Sequence, residues 1–518
     1  MKKAEEENLA AGRNAGRGGV AVLGAKVFFV LTGLVQQILL PRVIGLAGYG
    51  ALARVLALAN IPNNVIVASG TQGVSRAVAR APGREHEALL ATMRVHLPLA
   101  IVVSCAFAAL APSLASFEGA PHIAVPLAIV AIVSLLYGVY APLIGFLNGR
   151  AQFTRQAALD VIFAILRTTG LLGVGFWFVH GGGSGVTGAV LGFVGAAACI
   201  VPIAARWASP WGAAGRATDR TGLPTPSTYL LELVPLAGAQ FFTNAVMQVD
   251  ITLLGRFLSR SASASGLSHD LATKSADEWV AVYRACQLFA FLPYQLLLSI
   301  TQILFPMVAR AKAEGDLVAV KTYVARGARL AAIACGMMVA VVAALPGTLL
   351  SFAYGADVGA RGASTLRVLA LGQGAYTMLA IATTVLASIG RERIAAAITF
   401  GALSAVSVAC FGLVSGAAFG GAQLAATAIA TSVALVLTLV VAGVTVERQT
   451  GSFVPLLTLV RVLFAVSLMV TAGLLLPRFG KLLTPVVSAL VAVLYLAVLV
   501  VTGELTKADA KLVSSLRR

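Results

Sequence analysis

Residues 39–62 read LLPRVIGLAGYGALARVLALANIP. An apolar run closes on Pro41 and Arg42, a glycine-containing turn follows, and a second apolar run carries Arg54 and is interrupted by Pro62. The chain repeats this arrangement further on. Leu253-Leu254-Gly255-Arg256-Phe257 closes another apolar run, and Arg284 and Pro293 follow in the next. The arginine-to-proline spacing is 8 residues in the first copy and 9 in the second. From proline to the next matched arginine, Arg80 or Arg310, it is 18 and 17. A weaker match pairs Gly149-Arg150 with Gly390-Arg391. Along the second apolar run of each copy the offset is 230 or 231 residues, and landmarks kept in one order indicate an internal repeat. Its second copy carries 16 extra residues between Arg256 and Arg284.

The surroundings of these stretches fix the solvent. Of 518 residues, 59% are hydrophobic and 11% charged, where an ordinary soluble domain carries roughly 25% charged residues. A soluble chain of this size could not cover its surface with so little charge. Apolar runs long enough to cross a bilayer fall at about 20–41, 50–72, 97–117, 123–147, 158–179, 185–205, 229–255, 279–305, 328–352, 364–389, 394–416, 420–446, 456–476 and 483–503. The expected fold is an all-α polytopic membrane protein of about 14 transmembrane helices. Its two six-helix lobes are parallel repeats, and two further helices follow at the C-terminal end.

The expected division is a cytoplasmic segment at 1–19, an N-lobe at 20–205, a cytoplasmic linker at 206–228 and a C-lobe at 229–446. Two more spans at 447–503 and a cytoplasmic tail at 504–518 complete it. With span-end residues counted in the adjacent loops, 26 of the 38 Lys and Arg lie on the side of the N-terminus, eight on the other side and four within spans. That bias orients the chain with both termini cytoplasmic, so most of the +18 net charge carries no information about cargo. Spans two and eight then run inward together, and transport sites lie between halves related in this way.

Several chemistries are disfavoured. There is no Walker motif, and no connection is long enough for a soluble catalytic domain. Gly183-x-Gly185-x-x-Gly188 matches a dinucleotide pattern by letter, but it sits on an outer turn with no preceding strand. It reads as a flexible loop entering a glycine-packed helix, Gly188-x-x-x-Gly192. Five cysteines and five histidines are scattered singly, which suggests neither disulfides nor a metal site. No cofactor, no metal and no nucleic-acid partner is expected, and no catalytic residue.

Three stretches are similar to a known family. Leu39-Leu40-Pro41-Arg42-Val43-Ile44-Gly45 through Tyr49-Gly50 resembles the first turn of the multidrug/oligosaccharidyl-lipid/polysaccharide exporter superfamily, especially its polysaccharide flippases (O-antigen flippase and sporulation stage V protein B-like branch). Asp250 to Phe257 resembles its seventh-span end, and Leu304-Phe305-Pro306 through Arg310 with Glu314-Gly315-Asp316 its eighth-span exit. The resemblance implies two six-helix lobes around a central cavity, with amphipathic cargo moved by alternating access. It also implies a bacterial inner-membrane location, a polyprenyl-linked glycan as substrate, and a glycan polymerase or export machinery as partner. The family's diphosphate-lipid flippases use cavity cations on their first, second and eighth spans, where Lys26, Arg54 and Arg284 stand here. The family's eighth-span arginine often lies nearer the proline, where this chain has Gln287 and Leu288.

Charges inside a membrane are costly and usually face a cavity or a partner. Arg167 lies near the middle of its span, where reaching the headgroups is hardest, and Asp160 is seven residues earlier on roughly the same face. Arg54, Arg284 and Lys26 lie nearer span ends, where a long cationic side chain can instead snorkel. Candidate amides follow helical spacing: Gln240, Asn244 and Gln248 on span seven, and Gln295, Ser299 and Gln302 beyond Arg284 on span eight. Asn60, Asn63 and Asn64 flank Pro62, where a lost backbone bond frees a carbonyl to line a hydrated cavity. The alternative for all three groups is polar packing between helices.

The expected substrate-binding residues are therefore Arg54, Arg284, Arg167, Lys26, Asn60, Asn64, Gln240, Asn244 and Gln295. Guanidinium groups bind phosphate oxygens bidentately, and amides suit sugars. Asp250 either pairs with Arg284 or Arg54, or serves as an ion-coupling site; Glu232 is read as interfacial. The expected function is a flippase, not an enzyme, for polyprenyl-(di)phosphate-linked oligosaccharide in polysaccharide or cell-envelope assembly. The alternatives are a lipid II-type precursor flippase, a multidrug/cation antiporter and, from another class, a membrane-embedded glycan polymerase or ligase.

Overall fold

The computed structural model of the chain describes residues 2–208, 223–477 and 479–506, with side chains described from Gly24 onward except at 298–300 and 302–303. The expected 206–228 linker and 504–518 tail therefore fall largely outside the described residues, as do the side chains of Ser299 and Gln302. Every regular element among the described residues is helical.

The first helix, α1, runs Lys2–Ala79 and covers the first two expected spans. No outer loop separates them. Gly45 alone breaks the helix, at φ 78° and ψ 164°, a conformation that a residue with a Cβ avoids. Then come α2 (Glu85–Phe117), a short 3₁₀ turn (Pro121–Ile123), α3 (Ala124–Gly149), α4 (Phe153–His180), α5 (Gly185–Ala208) and α6 (Pro226–Ala264). The later helices are α7 (His269–Ala290), α8 (Leu292–Ala313), α9 (Leu317–Ala344), α10 (Pro346–Tyr354), α11 (Ala356–Ser388), α12 (Glu392–Val414), α13 (Gly421–Thr450), α14 (Leu456–Leu475) and α15 (Leu483–Val501).

Among the described residues twelve helices are long and apolar enough to cross a membrane, the first of them being the double one from Gly24 to Ala79. The chain is a multi-pass helical membrane protein. The expected eighth span is divided between α7 and α8 at Phe291, and the ninth between α9 and α10 at Leu345. The cause is local: Pro293 and Pro346 each occupy the first turn of a new helix, where proline's missing N–H costs nothing. Pro41 and Pro62, by contrast, are absorbed within α1.

The chain forms two compact units: 1–248 with 262–278, and 249–261 with 279–518. In the first unit α1 packs on α3 and α4, α2 on α3, and α4 on α5. Gly170 and Gly192 set the α4–α5 approach, since a Cβ on either would run into the other's backbone. The glycine-rich turn at 183–188 thus leads into close helix packing, with Gly188 against Phe178. In the second unit α11 is the central helix, against α8, α9, α10, α12 and α13.

The two last helices, α14 and α15, pack on α9 and on each other. Tyr495 donates to the Ile333 carbonyl (3.1 Å). Glu504 accepts from Arg329 (2.7 Å), Arg461 (3.1 Å) and Thr458 (2.8 Å), which ties the end of the last span to two other helices.

Candidate functional site

Arg54 lies on the second limb of α1 in an unbroken buried run from Tyr49 to Ala59. It is 1% exposed and is among the largest fully buried side chains of the described residues. Such a charge needs compensation, and two carboxylates supply it. Arg54 Nε is 3.0 Å from Asp277 Oδ1, and one terminal nitrogen is 3.7 Å from Glu118 Oε2. The same nitrogen donates to the Glu118 carbonyl at 3.3 Å. His122 Nε2 lies 2.8 Å from Asp277 Oδ2. Glu118 caps the C-terminus of α2, His122 sits in the 3₁₀ turn and Asp277 in α7, so three separate stretches converge on one guanidinium.

A groove of about 330 Å³ opens beside this cluster, lined among others by His122, Asp277, His269, Asp270 and Lys274. Burial pushes the Glu118 carboxyl up to about 8; Arg54 opposes that rise and Asp277 adds to it.

The other expected cations of the first unit have different surroundings. The guanidinium of Arg167, half-buried on α4, lies over the rings of Phe193 (5.1 Å) and Phe29 (5.9 Å), an arrangement that stabilises a cation by roughly 0.5–2 kcal/mol. Lys26 is half-buried and interacts electrostatically with Asp160. Asn64 donates to Asn244 Oδ1 at 2.6 Å, and Asn244 in turn donates to the Gln240 carbonyl at 2.7 Å. Asn60 is half-buried beside Pro62, and Asn63 accepts from Ser134 at 2.6 Å. The structure thus joins Asn64, Asn244 and Gln240 into one polar string. Glu232, read as interfacial, pairs at 3.0 Å with Arg80, and both side chains are exposed.

In the second unit Asp250 is 1% exposed. It accepts from Tyr283 (2.7 Å), Gln287 (3.0 Å) and the Ile251 N–H (2.7 Å). The expected Asp250–Arg284 pair is indirect: Arg284, half-buried, donates to Gln287 Oε1 at 3.2 Å, and Gln287 bridges to the carboxylate. Gln295 is exposed on α8.

Sequence reading missed Glu118, His122 and Asp277. They stand at the ends of spans, in SFEGAPH and KSADEWV, where charges read as solvated loop residues. The one available signal was the requirement itself: an arginine inside an apolar run must find carboxylates somewhere.

A family model described as polysaccharide biosynthesis protein matches residues 15–312, more than half of the chain. The chain belongs to the polysaccharide biosynthesis protein family. Among solved structures, the chain is similar in fold to "Lipid II flippase MurJ, inward closed conformation", with a TM-score of 0.68 at 12% identity over 92% of this chain and 98% of that one. A multidrug resistance MATE family transporter of the MOP superfamily, in its inward-facing conformation, gives a TM-score of 0.60 at 14% identity over 83% and 98%. A MOP superfamily transporter from Pyrococcus furiosus, described by a reverse polarity of its binding pocket, gives 0.57 at 15% over 83% and 95%. A search of the curated proteins finds no matching sequence. The fold of this polysaccharide biosynthesis family member is that of the MOP transporters, as the motifs around Gly45, Arg256 and Pro306 implied.

Proposed function

We propose that this protein is a flippase that moves polyprenyl-(di)phosphate-linked oligosaccharide across the bacterial inner membrane by alternating access, for polysaccharide or cell-envelope assembly. The observation that carries this reading is the family match over residues 15–312. Likeness to a lipid II flippase and to multidrug transporters is compatible with several cargoes. The family match favours a glycan carried on a lipid.

The chemistry of the first unit is suited to that cargo. Arg167 is a permanent cation at mid-span, fixed over two aromatic rings; a planar guanidinium can bind a phosphate oxygen pair. Asn64 and Asn244 place side-chain amides, and Gln240 a backbone carbonyl, where hydroxyl groups of a sugar can exchange for the existing bonds. Lys26, Asn60, Arg284 and Gln295 remain candidate contacts, and Asp250 a candidate coupling group. Arg54 is different, because its charge is already met by Glu118 and Asp277; in this arrangement it holds the unit together, and it binds cargo only if that cluster opens.

Both termini are assigned to the cytoplasm on the charge bias of the loops. In proteoliposomes carrying polyprenyl-diphosphate-linked oligosaccharide, the protein should expose the glycan to an external glycosidase, and Arg167→Ala should slow this at least tenfold while inserting normally. Unchanged rates in Arg167→Ala would remove Arg167 from the site. Transport of lipid II in preference to the oligosaccharide lipid would favour the precursor-flippase reading.

A further inference from the structure

The Arg54 cluster holds a charge that does not balance. One guanidinium faces two carboxylates, Glu118 and Asp277, with side chains 0% and 5% exposed. With both ionised and His122 neutral, the buried group carries one net negative charge, which burial strongly disfavours. The two acids also differ in their partners. Asp277 is hydrogen-bonded at Oδ2, 2.8 Å from His122 Nε2, and Arg54 Nε approaches its Oδ1 to 3.0 Å without hydrogen-bond geometry. The Glu118 carboxyl oxygens are fully enclosed, accept no hydrogen bond from any described residue, and have only the longer 3.7 Å approach to Arg54. A buried carboxylate without donors is the form least stable in such a place.

We propose that the Arg54–Glu118–Asp277–His122 cluster is a binding site for one exchangeable proton, seated on Glu118 beside the groove that His122 and Asp277 line. One proton on Glu118 brings the cluster to neutrality. The charged groups facing it are Arg54 from α1, Asp277 from α7 and, along the groove, His269, Asp270 and Lys274. The elevated affinity of Glu118 for a proton, with its midpoint at about 8, accords with this. Deprotonation strengthens the Arg54–Glu118 attraction and draws the guanidinium away from Asp277. Asp277 belongs to the 262–278 segment, which the first unit holds and which leads directly into the second unit at Trp279. On the orientation assigned above, the groove opens to the outer side, so an external pH change acts on this clasp. The site is separate from Asp250. It rests on the flippase reading only for the use made of the proton.

The test is a pH titration of the full-length protein in liposomes, with protons as the probe and the infrared C=O band of a protonated carboxyl as the signal. The wild type should lose one such band on alkalinisation with a midpoint at about 8, and Glu118→Gln should lack it. Asp277→Asn leaves Arg54 to Glu118 alone, so its midpoint should fall by about one pH unit or more, tenfold in proton affinity. This second variant serves where Glu118→Gln fails to insert. Asp250→Asn should leave the band in place. A wild type with no titrating carboxyl band, or one indifferent to both Glu118→Gln and Asp277→Asn, would overturn the site. So would a midpoint set by sodium concentration. None of these readouts requires cargo, so failure of the proton site and failure of the flippase reading are separate results.

Discussion

Replacing Arg54 with alanine should damage the fold before it damages transport. The substitution leaves Glu118 and Asp277 enclosed, at 0% and 5% side-chain exposure, with their shared cation gone. Breaking a buried ion pair from one side costs about 3–5 kcal/mol. At roughly 2–4 °C per kcal/mol for a unit of 150–250 residues, the Tm should drop by about 6 °C or more. Neutralising the carboxylates in the same background (Arg54→Ala with Glu118→Gln and Asp277→Asn) should recover at least half of that loss, since the cost lies in the orphaned Asp277 charge and the enclosed Glu118 carboxyl left without its cation. The assay is thermal unfolding of the purified protein in mild detergent, followed by tryptophan fluorescence. Arg284→Ala, which removes one 3.2 Å hydrogen bond from a half-buried side chain, should cost only about 1 kcal/mol. The reasoning fails if Arg54→Ala unfolds within about 2 °C of the wild type, or if the triple variant is less stable than the single one.

Three other expectations follow from the packing. Asp250→Asn keeps the shape but turns one accepting oxygen into a donor facing Tyr283 or Gln287, at a cost of about 1–3 kcal/mol; flipping with an unchanged dependence on proton and sodium gradients would end its candidacy as a coupling group. Gly192→Ala forces α4 and α5 apart and should cost about 1–3 kcal/mol, whereas Gly195→Ala, with open space around it, should be silent in the same thermal scan. Burial alone would raise the Glu504 carboxyl, but Arg329, Thr458 and Arg461 hold it below the usual carboxylate range. A depressed carboxyl stabilises above its unfolded pKa and loses that stabilisation as pH falls through the folded value. Limited proteolysis of the α14–α15 end should therefore accelerate below about pH 4, and Glu504→Gln should show the fast rate at neutral pH.

The helical membrane fold was legible because it rests on composition and on runs of apolar residues, which tolerate errors of several positions. The breaks were less so. Gly45 replaces an expected outer loop with a single left-handed residue, and no hydropathy window registers one glycine. Pro62 and Pro293 occupy matched places in the repeat, yet one lies within a helix and the other begins one; the letter is the same and the backbone before it differs. The candidate site was legible in part. Arg167, Asn64 and Asn244 stand out by charge and spacing, but the bond from Asn64 to Asn244 appears only in the fold. The partners of Arg54 do not, because Glu118 and Asp277 are distant in sequence and meet it only in the fold. Gln287, which occupies the place near the proline where the family often has its arginine, forms the bridge between Arg284 and Asp250.

The central claim is that the protein carries a lipid-linked glycan across the bilayer. Its most direct test is the depletion of the protein from living cells, followed by measurement of which leaflet holds the polyprenyl-diphosphate-linked oligosaccharide. The glycan lipid should accumulate on the cytoplasmic side, out of reach of a glycosidase added outside, and Arg167→Ala should fail to reverse this. If the glycan reaches the outer leaflet at its normal rate in depleted cells, the flippase account is wrong.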